Sequence, residues 1–564
     1  MKWIQSLQNS VQSIREDEKS MRVLRYAILF ILFLTLTLVG FFALRAWHAP
    51  AMPPEGYAST GQNGLFTVGA GMLVAGVITA AVAAFDPTQK AQRSVWFYPL
   101  LAGGLGLVLY ILGYAFLGVW PIGDKTILTV DMHHQYAPLL SELRYMMLNG
   151  GNASYNFHIG MGASFIPTFA YYLASPLNFL LIFFSERYLA QGILVITLLK
   201  GAAAAASFTA MAQYVYRRRN TSMVAVGLLY ALSGYMLAYS WNIMWLDVVA
   251  LLPVVVLAME RMLRTGKITL YALLLALALF ANYYIGFMLC VFLVLYMIVW
   301  LLREKRTLRD AAVGGLRFAG GSLWGGALAA CLLIPTALAL GRTSAAGGEM
   351  IDFDTNFPLF DLLGRLFYGA TPTIRSGNLP NLYCGVVSVL LAPLYLTQKA
   401  IPLRRRLCYG GLLTVLLFSC TLKQWDLAWH GLHAPNDLPY RFSFLISFVL
   451  LMMAAHALVH LSRITSRQIL AGLTGSAVFL FLWEKMNELT LAADPAQAGK
   501  VGTTDKLLYA NVLLLAVYAG ILLIRSTKKA PATVVSRLLL AAVCLELVCS
   551  TSVTLVTMDE NEVF

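Results

Sequence analysis

The stretch Phe165-Ile166-Pro167-Thr168-Phe169-Ala170-Tyr171-Tyr172-Leu173-Ala174-Ser175-Pro176-Leu177-Asn178-Phe179-Leu180-Leu181-Ile182-Phe183-Phe184 is apolar enough to cross a bilayer. It also carries two prolines, an asparagine and a tyrosine pair, which suit an interfacial or re-entrant segment better than a lipid-facing span. Everything downstream turns on this segment. If it crosses, each later loop changes side, and Arg217-Arg218-Arg219 fall on the outer face. We therefore place 131–186 wholly outside, as amphipathic or re-entrant helices resting on the membrane.

Composition sets the class around it. The chain has 564 residues, of which 59% are hydrophobic and only 12% charged, and its mean hydropathy is +0.71. Soluble domains carry about 25% charged residues. Apolar runs near the roughly 20 residues needed to cross a bilayer recur from end to end. The fold class is thus an all-α polytopic membrane protein. The first run, 26–44, is too long for a signal-peptide core and lacks a small-residue cleavage site. Counting runs gives about fifteen spans: 23–45, 64–85, 96–118, 187–214, 222–240, 243–262, 268–283, 284–302, 314–340, 383–398, 407–421, 442–461, 468–484, 507–525 and 535–556.

Charge orients them. With a cytoplasmic N-terminus, 28 of the 41 lysines and arginines fall on inner segments, against 12 outside and Lys200 within a span. This is the positive-inside pattern. The formal net charge of +14 is therefore topology and contact with anionic lipid, not a nucleic-acid surface. The C-terminus falls outside. The seven cysteines are scattered without CxxC or His-Cys spacing, so neither a disulfide framework nor a zinc site is indicated. There is no Walker loop, dinucleotide glycine fingerprint or HExxH. No cofactor is called for, and a divalent metal is possible but not indicated.

Candidate chemistry lies in the outer loops. Asp131, in Val130-Asp131-Met132-His133-His134-Gln135-Tyr136, reads either as a helix cap or as a general base. His133 and His134 could join it on a metal, but adjacent histidines at a helix start point in different directions. His456 and His460 share a helix face at i,i+4, where structural hydrogen bonding is the simpler reading than metal chelation. The loop from Trp429 to Phe442 holds His430, His433, Asn436 and Asp437, with Arg441 at the mouth of the next span. A guanidinium there either snorkels to lipid heads or grips a phosphate in two hydrogen bonds. Tyr283 and Tyr284 of Asn282-Tyr283-Tyr284 read as belt anchors or as a platform for a sugar. Asp247 and Glu546 are acids near or within spans, which makes them functional candidates by default.

Taken in order, Gly123-Asp124-Lys125, Asp131…Gln135-Tyr136, Gly160-Met161-Gly162, Ala170-Tyr171-Tyr172…Ser175-Pro176-Leu177-Asn178, Asn282-Tyr283-Tyr284, Asn381-Leu382-Tyr383 and Pro439-Tyr440-Arg441-Phe442-Ser443-Phe444 resemble the bacterial YfhO membrane-protein family. The resemblance covers roughly 97–556. It implies a bundle like the GT-C glycosyltransferases, here spanning 96–564 with an outer loop at 119–186. Residues 1–95 then form a cytoplasmic segment plus two additional spans, and the family's C-terminal outer domain is absent. It further implies transfer of a sugar from a polyprenyl-phosphate carrier, on the outer face of the bacterial cell membrane, to a cell-wall polymer such as lipoteichoic acid. Asp131 would be the base. The substrate-binding set would be Arg441, Gln135, Tyr136, His134, Tyr172, Tyr283, His430, Asn436 and Arg375, with Arg365 and Arg187 as further phosphate candidates. A lipid or polysaccharide flippase and a non-catalytic scaffold of envelope synthesis are the rival readings.

The orientation has a direct test. Cysteines substituted at Ser154 and Asn436 should react with an impermeant thiol reagent in intact cells, while those at Thr265 and Thr307 should not. Labelling of the latter pair would overturn the orientation.

Overall fold

The computed structural model describes residues 94–342, 354–374, 379–433, 435, 437–493, 505–527, 530–555 and 558–559. The expected spans at 23–45 and 64–85, together with Arg375 and Asn436, lie outside the described residues. The chain divides into two units, one of Met1–Ser94 with Gly118–Asp124, the other of Val95–Leu117 with Lys125–Phe564. In the first, 118–124 is a turn in which Ile122 and Gly123 donate their N–H groups to the Val119 carbonyl. The second unit is a helical bundle.

Its first helix, α1 (Phe97–Phe116), packs on α3 (Leu189–Tyr216) through small residues. A Cβ at Gly103 would lie 3.3 Å from the Ala202 carbonyl oxygen, and one at Gly106 would lie 3.2 Å from the Ala205 methyl. At Gly201 it would come within 2.3 Å of the Tyr110 ring, so only glycine fits. Lipid supplies no hydrophobic drive between helices, and such interfaces rely on close backbone approach. Between these two in sequence comes α2 (Ala137–Asn149). Beyond them come α4 (Thr221–Ala231), α5 (Ile243–Thr265), α6 (Thr269–Ala281), α7 (Tyr283–Leu302) and α8 (Leu308–Leu340). The rest are α9 (Val386–Thr397), α10 (Leu403–Thr421), α11 (Lys423–Trp429), α12 (Phe444–Val459), α13 (Ser466–Ala493), α14 (Asp505–Ser526) and α15 (Ala532–Thr554). A two-residue antiparallel ladder joins Lys125–Thr126 to Met558–Asp559.

Burial separates centre from edge. The apolar stretch of Thr221–Ala238 is 94% buried, whereas that of Leu308–Leu340 is 22% buried. α8 meets the bundle through Gly314, Gly321, Gly325, Ala329, Leu332 and Thr336, spaced three, four or seven residues apart along one face.

Among the described residues, nine helices are long and apolar enough to cross a membrane, or ten if one bent pair counts as a span. Counting apolar runs predicts more because it cannot tell a span from a short helix buried among others. The expected 268–283, 383–398 and 442–461 are helices of 13, 12 and 16 residues. Twelve residues rise only about 18 Å. The expected 407–421 starts earlier, at Leu403, and takes in Arg404, Arg405 and Arg406. The run 222–240 is broken between Ala231 and Gly234.

The decisive stretch is bent. Phe165–Leu173 and Pro176–Phe183 meet at 95°. A buried charge pair pins the corner. Lys200 of α3, 1% exposed, donates from Nζ to Asp247 Oδ2 at 2.6 Å and to the Ile243 carbonyl at 2.9 Å. Ser175, at the bend itself, donates to Asp247 Oδ1 at 2.7 Å. Asp247 thus has both oxygens occupied by the fold. Glu546 is likewise held by the Tyr383 and Tyr518 hydroxyls and the Val386 amide, all distant in sequence.

Removing either member of the Lys200–Asp247 pair leaves an uncompensated buried charge, which costs roughly 3–5 kcal/mol. Lys200→Met and Asp247→Leu should each lower the unfolding midpoint in detergent sharply, while the double variant recovers most of the loss. Additive losses would show that the two charges do not stabilise each other.

Candidate functional site

Four chain segments of the second unit converge at one end of the bundle. The first is the turn into α2. Val130 adopts φ 50, a left-handed conformation that a β-branched residue rarely takes. Its carbonyl accepts the amides of His133 and His134. Asp131 follows, exposed, and its side chain makes no cap bond. The next five residues, Met132–Tyr136, form a π-helical turn that buries Tyr136 and leaves His134 and Gln135 exposed.

The second segment is the bent pair, whose π-helical turn Phe169–Leu173 presents Tyr171 and Tyr172. The third comprises the starts of α5 and α7. Asn282 caps α7 by accepting the Ile285 amide at 2.8 Å, and its Nδ2 donates to the Tyr171 carbonyl at 2.7 Å. Tyr283 and Tyr284 therefore stand over the Tyr171 ring, each with centroids 5.9 Å away. At the start of α5, Asn242 Oδ1 accepts from the Tyr136 hydroxyl at 3.0 Å, and the Trp241 ring lies parallel to that of Tyr136. Tyr136 and Tyr172 centroids are 5.5 Å apart.

The fourth segment carries Arg441. Three non-glycine residues near it, Leu432, Leu438 and Tyr440, have positive φ. Arg441 Nε donates to the Leu438 carbonyl at 3.0 Å and Nη2 to that of Asp437 at 2.8 Å. Nη1 donates to the Tyr171 hydroxyl at 3.2 Å. The guanidinium sits 5.0 Å from the Trp245 ring and 5.1 Å from that of Tyr284. Among the described residues it forms no salt bridge to a carboxylate. A cation placed this way is stabilised by ring faces and carbonyls while its charge stays available.

The aspartate and the arginine act on the same hydroxyls. Burial pushes the Tyr172 phenol up to about 12, Tyr171 and Asp131 add to the shift, and Arg441 and a hydrogen bond with Gln135 oppose it. Tyr136 is raised chiefly by burial, then by Tyr171 and Asp131, again against Arg441. Asp131 and Arg441 thus bear on the same two tyrosine hydroxyls with opposite sign. Several buried polar atoms near this aromatic cleft have no hydrogen-bond partner among the described residues: Trp241 Nε1, Asn242 Nδ2 and His430 Nε2.

His430 is paired with Asp426, an acid that apolar counting passed over. His430 Nδ1 lies 2.7 Å from the Asp426 carbonyl oxygen and 3.4 Å from its Oδ1. That carbonyl dictates the Nδ1–H tautomer and leaves Nε2 as an acceptor. Burial lowers His430 to about 4 and raises Asp426 to about 7, the latter against a Tyr440 backbone hydrogen bond and the Arg441 charge.

Of the expected site residues, the structure gathers Asp131, Gln135, Tyr136, Tyr172, Tyr283, His430 and Arg441. His134 stands exposed beside His133, with ring centroids 4.9 Å apart. Arg365 is a correction, because it is buried inside the fold, with Nε donating to the Pro380 carbonyl and Nη2 to the Thr371 carbonyl and the Thr373 hydroxyl. Arg187 stacks beside its neighbour Tyr188 on the surface. Asn381-Leu382-Tyr383 is structural: Asn381 brackets the Thr373 backbone, and Tyr383 reaches Glu546. Tyr171, Trp241, Asn242, Trp245 and Asp426 belong to the cleft without having been singled out for it. The only signal for Asn242 is a lone amide between Trp241 and a long apolar run.

The Asp426–His430 pair makes a pH signature. Asp426, raised from 3.8 to about 7, contributes stability that is full below about pH 4 and lost as pH climbs towards 7. His430, lowered from 6.5 to about 4, contributes stability that is full above pH 6.5 and lost as pH falls towards 4. Between pH 4 and 6.5 the two slopes oppose, each limited to about 1.4 kcal/mol per pH unit. Asp426→Asn should unmask stability that rises with pH in that window, and His430→Gln stability that falls. Thermal unfolding of both variants across pH reads this directly, and parallel profiles would refute the assignment.

Two solved structures share coarse similarity with the chain. One is ArnT from Cupriavidus metallidurans bound to undecaprenyl phosphate, at 12% identity and TM-score 0.40, covering 80% of this chain and 76% of that one. The other is the arabinosyltransferase EmbB from Mycobacterium smegmatis, at 15% identity and TM-score 0.40, covering 87% of this chain and 45% of that one. No curated protein matches. The family model described as bacterial membrane protein YfhO matches residues 104–564, which include every segment of the cleft, and the chain belongs to that family.

Proposed function

We propose that the protein is a GT-C-like membrane glycosyltransferase moving a sugar from a polyprenyl-phosphate carrier to a hydroxyl of a cell-envelope polymer such as lipoteichoic acid, at the outer membrane face. The observation that carries this reading is Arg441, a guanidinium set among the Tyr171 hydroxyl and the Trp245 and Tyr284 rings with no carboxylate partner among the described residues, with the exposed carboxylate of Asp131 at the head of the turn that carries Tyr136 into the same aromatic cluster. Aromatic faces and unpaired amide and indole N–H groups suit a polyhydroxylated ring, and a guanidinium fork suits a phosphate.

The step is an inverting displacement. Asp131 takes the proton from the acceptor hydroxyl as its oxygen bonds to the anomeric carbon. The bond from that carbon to the phosphate oxygen breaks on the opposite face, and its electron pair leaves on the lipid phosphate. Arg441 stabilises that anion, so no protein acid is required. In this reading the unpartnered His430 Nε2 accepts from a sugar hydroxyl and Asn242 Nδ2 donates to one. Gln135 and Tyr172 orient the acceptor side. No metal enters this scheme.

The test is transfer by purified protein from a polyprenyl-phospho-sugar, with variants matched for folding. Asp131→Asn keeps volume and removes basicity, and should cost about 10²–10⁴ in rate. Arg441→Lys keeps the charge but loses the fork and should raise the donor KM, with Arg441→Ala worse. Near-wild-type turnover of the Asp131 variant would displace it as the base. Equal donor use by wild type, Lys and Ala variants would remove Arg441 from the site.

A further inference from the structure

The other end of the bundle holds a second constellation, which the proposed chemistry does not use. α5 and α7 begin at the aromatic cleft and end at a cavity of about 680 Å³. Twenty residues rise about 30 Å, so the two sites stand a membrane's thickness apart. Six arginines line the cavity: Arg217 and Arg218 after α3, Arg264 near the end of α5, Arg303 and Arg306 after α7, and Arg405 in α10.

Two carboxylates partly compensate them. Glu260 accepts both Arg303 Nη atoms at 2.6 and 2.9 Å and Arg264 at 3.3 Å. Glu304 takes Arg306 at 3.3 Å and also Arg405. Six guanidiniums against two carboxylates leave four positive charges over. Arg217 and Arg218 have no ion pair among the described residues, and the Nε groups of Arg303 and Arg405 are buried without partners. Positive-inside placement explains arginines at helix ends, but it does not explain four chain segments directing them around one hollow. Like charges converging in this way repel unless an anion sits among them.

The backbone adds an independent observation. Arg217 closes α3 with φ 52, the left-handed position that helices usually give to glycine. A charged side chain is held there against conformational cost. Arg306 is also fixed, stacked on the Trp300 ring at 3.5 Å. The wall includes apolar Val215, Leu263 and Val459. Its volume falls in the roughly 300–1,000 Å³ range of small-molecule sites.

We infer that this cavity binds a multiply charged phosphate group, a phosphomonoester or diphosphate, at the arginine-rich end of the bundle. Rigid guanidinium forks match phosphate oxygens, and several of them together favour a dianion over a single carboxylate. The group arrives either on a lipid head or on a soluble molecule. This inference does not rest on the proposed sugar transfer.

The full-length protein in phosphatidylcholine nanodiscs, titrated with inorganic pyrophosphate, tests the soluble source. Nanodiscs containing phosphatidic acid, followed by native mass spectrometry of retained lipid, test the lipid source. The variant Arg217→Gly with Arg218→Gln removes two rim charges and relieves the left-handed strain, so its unfolding midpoint without ligand should not fall. Its affinity should drop by about tenfold or more, the loss expected for a charge-assisted contact. Arg261→Gln with Arg463→Gln removes two exposed arginines outside the cavity and should bind as wild type does. Pyrophosphate binding, or selective retention of phosphatidic acid, supports the site if the rim variant loses it and the control keeps it. No binding in either arm, or equal loss in rim and control variants, overturns it.

Discussion

A lysine and an aspartate that cannot reach water fix where the bent segment turns. Lys200 and Asp247 lie on different helices, and each would be intolerable alone in an apolar bundle. Their pairing leaves one carboxylate oxygen for Ser175, the residue at the corner. Once that corner is set, Tyr171 falls within reach of Asn282, and the start of α7 is tied to the same point. Arg441 then finds the Tyr171 hydroxyl. A buried ion pair contributes little net stability, but it tolerates few alternative arrangements. Here it specifies the placement of a cleft.

The helical, membrane-embedded character was legible from hydropathy alone, because the bilayer dictates both span length and apolarity. The proline, asparagine and tyrosine content of 165–184 also announced a segment unlike its neighbours, and it is sharply bent. What hydropathy could not separate was a crossing helix from a short buried one. Val386–Thr397 is as apolar as many spans but too short for one, since its neighbours rather than lipid cover it. Asp247 and Lys200 illustrate a second limit. They are 47 residues apart, and nothing in either local sequence names the other.

The candidate site was legible where polar residues interrupt apolar surroundings, as at Asp131, His430 and Arg441. It was opaque where the informative atom is a backbone carbonyl. Arg365 and Arg441 look alike in sequence, each an arginine beside apolar residues. Both donate to carbonyls and a hydroxyl, but the first does so inside the fold, whereas the second lies beside the Trp245 and Tyr284 rings. Only the path of the loop distinguishes them. Asp426 was passed over for a related reason: its importance comes from the histidine one helical turn later and from burial, neither of which composition reveals.

The left-handed backbone at Val130, Leu438 and Tyr440 has a consequence for how this protein could be improved or damaged. All three flank the two charges of the cleft, and each carries a conformational cost of order 1–2 kcal/mol for a side chain other than glycine. Such positions are where stabilising substitutions are easiest to find, and where activity most often depends on the arrangement that instability maintains. Selection for thermal robustness and selection for turnover would therefore draw these three residues in opposite directions.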